Sequence, residues 1–165
     1  MNGAVSQSEK DRRDAALARL TDTVPYHRFI GVTFTRMGDE LTGRLNYSWK
    51  LIGNPMIPAL HGGVTGAFLE ITAITQLAWD DVWSRLEEGG DAGAAIDDGR
   101  FPKMPKTIDF TIDYLRSGRA RDAYARATVQ KAGRRVANVR VEAWQDSRDR
   151  PIAAAHGHFL MPEGE

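Results

Sequence analysis

Residues 61–79 read HGGVTGAFLEITAITQLAW, and this stretch decides the architecture. Val64, Ala67, Phe68, Ile71, Ile74, Thr75 and Ala78 recur at helical spacing, which predicts one long helix from Gly62 to about Leu86. Between Leu51 and Trp79 the only side chains able to carry charge are His61 and Glu70. A helix this apolar around most of its circumference has to be covered on several sides, as when a curved sheet wraps it.

The flanks supply that sheet. On the C-terminal side, 88–103 is rich in Gly and Asp and reads as a flexible excursion or lid. Strand patterns follow over 107–115, 122–131, 134–145 and 151–161, with Ala132-Gly133 as a hairpin turn and 146–150 as a second turn. In the first of these strands, alternation puts Ile108, Phe110, Ile112 and Tyr114 on one face and Thr107, Asp109, Thr111 and Asp113 on the other. On the N-terminal side, strands over 30–36 and 41–47 flank a Gly-Asp turn, and 51–60, with Gly53, Pro55 and Pro58, is a restricted loop. Residues 8–24 form a short amphipathic helix, capped by Ser8 with Asp11 and ended or turned by Pro25. The expected class is α+β, an antiparallel sheet around one long central helix. Residues 1–28 are an N-terminal helical extension, and 29–165 a single domain.

Within the long helix Thr65, Thr72 and Gln76 share a stripe, the natural polar side, and Glu70 lies roughly 140° from it. Its neighbours there are Gly63, Gly66, Ala67, Ala73, Ile74 and Leu77. On helix geometry alone, Glu70 is either half of a structural ion pair or an acid facing a cleft. His61-Gly62-Gly63 favours the cleft, because a Gly-Gly pair opening a helix exposes backbone N–H groups backed by the positive end of the dipole. Such groups can hold a carbonyl oxygen as negative charge develops on it.

Composition narrows the remaining classes. Lys plus Arg and Asp plus Glu balance at 22 each, and neither helix carries a basic reading face, so nucleic acid is not an expected partner. There is no cysteine, which excludes disulfides, a cysteine nucleophile and thiolate metal sites. The opening residues MNGAVSQSEKDRRDAALARL lack the apolar core of a signal peptide, and no run is long enough to span a membrane. A cytoplasmic protein without membrane partners is expected. No Gly-rich phosphate loop, GxSxG elbow or zinc pattern is present.

The run Asn54-Pro55-Met56-Ile57-Pro58-Ala59-Leu60-His61-Gly62-Gly63-Val64, with Glu70 nine residues after the histidine, resembles the PaaI-like hotdog-fold acyl-CoA thioesterases. The later runs 107–116 and 155–159 fit the same family, and the similarity covers 29–161. The resemblance implies a hotdog fold and hydrolysis of an acyl-CoA without a cofactor. It makes Glu70 the general base or nucleophile, and Gly62 the N–H donor that polarises the carbonyl. Asn54 would position water or the acid, His61 would shape the turn and donate a hydrogen bond, and Thr107 would supply a hydroxyl near the water. Active sites of this family lie between protomers, so a homodimer or homotetramer is implied. Two departures stand out: the Asn-to-His spacing is one residue longer than usual and carries an extra proline, and the acid is Glu where many members have Asp.

Around this centre, Gly63 leaves room for substrate. Arg116 and Arg119 at one strand end, and Lys131, Arg134 and Arg135 at the 132–133 turn, either meet coenzyme A phosphates or are solvated surface. His156 and His158 share a strand face without a third ligand nearby in sequence, so no metal site is expected. Trp79 and Trp83 are expected in a core or interface. The alternatives are a non-catalytic acyl-CoA-binding protein, in which Glu70 is structural, and a hotdog hydratase or dehydratase using His61 with Glu70.

Overall fold

The computed structural model describes residues 6–163; the outermost ends of the expected 1–28 and 29–165 units lie outside the described residues. Two helices open the chain, α1 (Gln7–Asp22) and α2 (Pro25–Ile30). The cap of α1 is Ser6, not Ser8: Ser6 and Glu9 have the S-x-x-E spacing, and the Ser6 hydroxyl accepts from the Glu9 N–H at 3.3 Å. Pro25 starts α2 instead of merely ending α1, because its fixed φ and missing N–H suit the first helical position. Gly31, at φ 81°, then ends α2 in a left-handed conformation that a side chain would disfavour.

The strands β1 (Val32–Met37) and β2 (Glu40–Leu45) form the expected hairpin around Gly38-Asp39. Inside the Pro-rich loop a small hairpin, β3 (Ile52–Asn54) and β4 (Ala59–Leu60), delivers the chain to the central helix, α3 (Gly62–Glu88). A further helix, α4 (Gly90–Asp97), precedes β5 (Lys106–Tyr114), β6 (Ala123–Ala132), β7 (Val136–Trp144) and β8 (Ala153–Leu160). The six long strands make one antiparallel sheet in the order β1-β2-β6-β7-β8-β5, with β5 on an open edge. The sheet closes around α3 in the hotdog arrangement. The β6–β7 turn occupies 133–135, so Arg134 and Arg135 sit in the turn itself and not in the following strand.

Two apolar clusters hold the parts together. The larger lies between sheet and helix, with Phe68, Leu69 and Leu77 of α3 against Leu45, Val139, Val141 and Phe159. The second covers the far half of α3, where Trp79, Val82 and Leu86 meet Ala16, Leu17 and Leu20 of α1 and Ile96 of α4. Trp79 is a core residue, as expected. Residues 88–103 are therefore no free excursion. Their centre is helical because Ile96 docks into this cluster and Asp97 receives two hydrogen bonds from Arg12, at 2.8 and 2.9 Å. No described helix is long and apolar enough to cross a membrane.

The polar stripe of α3 runs opposite to expectation. Thr65, Thr72 and Gln76 are buried, and the more accessible stripe is Gly63, Ala67, Glu70 and Ile74. For two of the three, burial is tolerated because the polar groups find partners: the Thr72 hydroxyl donates to the Phe68 carbonyl at 2.8 Å, and Gln76 accepts from Leu41 N–H at 3.0 Å and donates to the Asp39 carbonyl at 3.1 Å.

Candidate active site

The site begins at the entry to α3. His61 is the N-cap, and its Nδ1 accepts the Gly63 N–H at 2.9 Å. Its backbone N–H donates to the Leu51 carbonyl at 2.8 Å. A Cβ on Gly53 would stand 2.8 Å from His61 Cα, so only glycine lets β3 pass this close to the turn. With Gly63 occupied by the cap, no hydrogen bond among the described residues uses the Gly62 N–H. Tyr114 braces the turn from β5, its hydroxyl donating to the Gly62 carbonyl at 2.7 Å. Sequence alternation puts Tyr114 on one face with Phe110 and Ile112 but does not single it out for the site.

Glu70 lies on the accessible stripe of α3, half-buried, and the Thr107 hydroxyl donates to its Oε1 at 2.5 Å. Strict alternation had put Thr107 on the opposite face from Phe110. A β-bulge reverses that assignment: Thr107 pairs with Phe159 and Asp109 with His158, leaving Ile108 as the extra residue of β5. Ile108 is pushed outward, 56% exposed, and Thr107 turns toward the helix. The contact to Glu70 therefore exists because one residue is inserted in the ladder.

Asn54 is less well placed for a role beside Glu70. Its side-chain oxygen accepts from the Met56 N–H at 3.0 Å, closing a local turn in the lengthened loop, and the residue is exposed. The arginines divide into two groups. Arg116 follows the Tyr114 end of β5, donates to the Pro151 carbonyl at 2.7 Å, and lines a hollow of about 450 Å³ with Gly62, Thr65 and Tyr114. Arg134 and Arg135 lie at the Lys106 end, beside Met161 and Lys103. The length of β5, about 26 Å, separates the two groups within one chain.

The two histidines on β8 face away from the site. His158 Nδ1 lies 2.9 Å from a carboxylate oxygen of Asp109 on the outer face of the sheet, and this hydrogen bond, together with the charge of His158 when protonated, holds the Asp109 carboxyl below its ordinary range. No group of three or more His, Asp or Glu side chains suited to a metal occurs among the described residues.

Gly62 and Glu70 are eight residues apart on one helix, about 12 Å along the axis and about 80° around it. One carbonyl group cannot touch both in the same chain. The chain therefore presents two separate half-sites, an unused backbone N–H at Gly62 and an acid with its hydroxyl partner.

Comparison with known proteins bears on what the half-sites do. The sequence profile of the thioesterase superfamily matches residues 58–152. Proteins named medium/long-chain acyl-CoA thioesterase YigI are 28% identical, from Salmonella typhimurium over 131 residues and from Escherichia coli K12 over 132, covering 72% of this chain and 74% of theirs. A crystal structure from Chromobacterium violaceum is 34% identical, covers 97% of this chain and 100% of its own, and superposes with a TM-score of 0.64. A Bacillus halodurans protein solved with CoA shares the fold at 16% identity and a TM-score of 0.63, with both chains fully covered.

Proposed function

Because the chain belongs to the thioesterase superfamily, we propose that it hydrolyses an acyl-CoA thioester at a site built from two copies of itself. The observation that carries the reading is the Thr107–Glu70 hydrogen bond on the accessible stripe of α3, which holds one carboxylate in an otherwise uncharged stretch. The named function of the YigI relatives supports the substrate class. In this reading the thioester carbonyl oxygen receives the Gly62 N–H of one copy while Glu70 of the other acts at the carbonyl carbon. As a base, Glu70 takes a proton from water as the water oxygen bonds to carbon. The negative charge gathers on the oxygen facing Gly62, the C–S bond breaks, and CoA leaves as the thiolate to be protonated. As a nucleophile it would form an anhydride that water then opens. Thr107 positions the carboxylate, and His61 fixes the Gly62 turn without exchanging protons.

The separation of the half-sites and the open edge at β5, where two antiparallel edges can pair, support a dimer in this reading. Asn54 serves this reading as the closure of its own loop. The test is CoA release from a panel of acyl-CoAs, followed with a thiol reagent, for the wild type and Glu70→Gln. Release by the wild type and a loss of about a hundredfold or more in the variant are expected. A silent panel favours a binding protein in which Glu70 is structural, and a variant as fast as an active wild type removes Glu70 from the chemistry.

A further inference from the structure

The loop between β5 and β6 carries Arg116, Arg119 and Arg121, and the β7–β8 turn adds Arg150. These four guanidinium groups line a hollow of about 290 Å³ in which Asp146 is the one lining carboxylate. That hollow shares Arg116, Ser117 and Ile152 with the larger one containing Gly62, so the two run together as one groove.

The groove is built on fixed backbone. Gln145 accepts from the Arg119 N–H at 2.9 Å and donates to the Arg119 and Arg121 carbonyls at 2.9 and 3.1 Å. From the other side the Leu60 N–H donates to the Gly118 carbonyl at 2.8 Å, and Ala59 bridges to Arg119. The arginine loop is thereby stitched to the strand that runs into His61-Gly62. The seam is close-packed at Gly118, where a Cβ would stand 3.1 Å from Leu60 Cδ1 and 3.3 Å from Ile152 Cδ1. Two arginines are engaged locally, Arg116 with the Pro151 carbonyl and Arg121 with Asp146. The Arg119 and Arg150 side chains have no hydrogen-bond or ion-pair partner among the described residues.

We propose that this groove binds the phosphates of the substrate's nucleotide end, the 3′-phosphorylated ADP of coenzyme A, with Arg119 and Arg150 as the principal contacts. The proposal rests on the acyl-CoA reading above. A pantetheine arm separates the thioester from the diphosphate, so the anion site must lie displaced from the oxyanion donor yet connected to it. The groove leading from Gly62 to the arginines has that layout. Guanidinium groups bind phosphate oxygens in pairs of charge-assisted hydrogen bonds, and four of them against one carboxylate match a ligand with several negative charges. The turn bearing Arg134 and Arg135 stands at the far end of β5 from the Gly62 of its own chain, and its hollow shares no lining residue with the one containing Gly62.

The test titrates adenosine 3′,5′-bisphosphate into the full-length protein by calorimetry. The double variant Arg119→Ala/Arg150→Ala is expected to bind about tenfold or more weakly than wild type. Arg28→Ala/Arg140→Ala removes the same charge elsewhere and is expected to bind as wild type. In kinetics, the ratio of kcat/KM for an acyl-CoA to that for the matching acyl-pantetheine, which lacks the nucleotide, falls by a similar factor in the groove variant. Taking the ratio cancels any loss of folded protein. No binding by the wild type, equal binding by the groove variant, equal loss in the Arg28/Arg140 variant, or loss confined to Arg134→Ala/Arg135→Ala would each overturn the proposal. If the wild type releases no CoA, the hydrolysis reading fails by itself, and the calorimetric comparison still decides whether the groove takes this nucleotide.

Discussion

The two halves of α3 are made from one helix and are used differently. From Trp79 to Leu86 the helix is clamped, with Trp79, Val82 and Leu86 packed among α1, α4 and Leu41 of β2. Arg13 adds to the clamp by bonding Glu9 and Glu87 and by stacking its guanidinium 4.0 Å from the Trp83 ring centre. From Gly62 to Ile74 no helix covers the outer stripe, and single polar contacts fix the geometry: the His61 cap, Tyr114 on the Gly62 carbonyl, and Thr107 on Glu70. One half therefore supplies stability through buried area. The other half keeps a stripe open for chemistry, and the clamp stabilises a helix whose glycine-rich first turns cost about 1 kcal/mol per interior glycine.

This division can be broken by experiment. The largest effect is expected for Trp79→Ala, which should lower unfolding free energy by about 3–5 kcal/mol in a urea titration. Turnover per folded molecule should stay within about twofold, and a collapse of kcat in the folded fraction would show that the halves are not separable. Gly62→Pro acts in the reverse sense. Proline suits the first helical position, and His61 at ψ 132° accepts a following proline, so the thermal midpoint should hold. Loss of the N–H should lower kcat about a hundredfold or more. If the half-sites belong to different copies, mixing Gly62→Pro with Glu70→Gln chains restores one complete site per mixed dimer, about a quarter of wild-type activity for random pairing. No recovery in mixed dimers would place both groups' chemistry within one chain.

Thr107→Val sharpens the comparison with a smaller change. Removing one hydroxyl that orients the acid should reduce kcat by about tenfold, with little change in KM or stability, and Thr107→Ser should restore it. Equal activity of the Val and wild-type forms would reduce the Thr107 contact to packing. The smallest effect is expected where the halves meet. Burial raises the Asp80 carboxyl above its ordinary range, opposed by the hydrogen bond from Gln76 at 2.7 Å and reinforced by the charge of Asp39. The folded state thus holds the Asp80 proton more tightly than the unfolded chain. Its contribution is most favourable at low pH and is lost as pH rises from the ordinary aspartate value through the raised one. Asp80→Asn should raise the thermal midpoint slightly at pH 7 and leave it unchanged at pH 3; equal shifts at both would separate the effect from protonation.

The open half was the more legible in sequence. A stretch of 29 residues from Leu51 to Trp79 with two ionisable side chains announces a wrapped helix, and His61-Gly62-Gly63 marks its start. Periodicity could not show which stripe faces out, because buried Thr72 and Gln76 satisfy themselves through contacts formed only in the folded chain. It also could not place α4, whose glycines and aspartates discourage a helix that docking of Ile96 and the Arg12–Asp97 pair stabilise. The arginines were found as candidates, but sequence distance does not reveal that Arg116 and Arg135 stand at opposite ends of one strand. Thr107 was reachable only through family resemblance, since its own alternation pointed the other way.

The extra residue in β5 makes the site a matter of parity. Side chains on a strand take one of two sides by count, odd or even, and Ile108 changes that count between Thr107 and the rest of β5. Pairing without the bulge, with Ile108 drawn into the ladder, would leave Glu70, Thr107 and the whole HGG turn in the sequence while sending the hydroxyl to the outer face. Such a chain would match every site letter and lack the contact. Among relatives of this protein, the pairing of the segment between Lys106 and Asp109 is therefore as informative as the identity of the acid: a chain one residue shorter there keeps the hydroxyl inward without a bulge, whereas a chain of this length keeps it inward only with one.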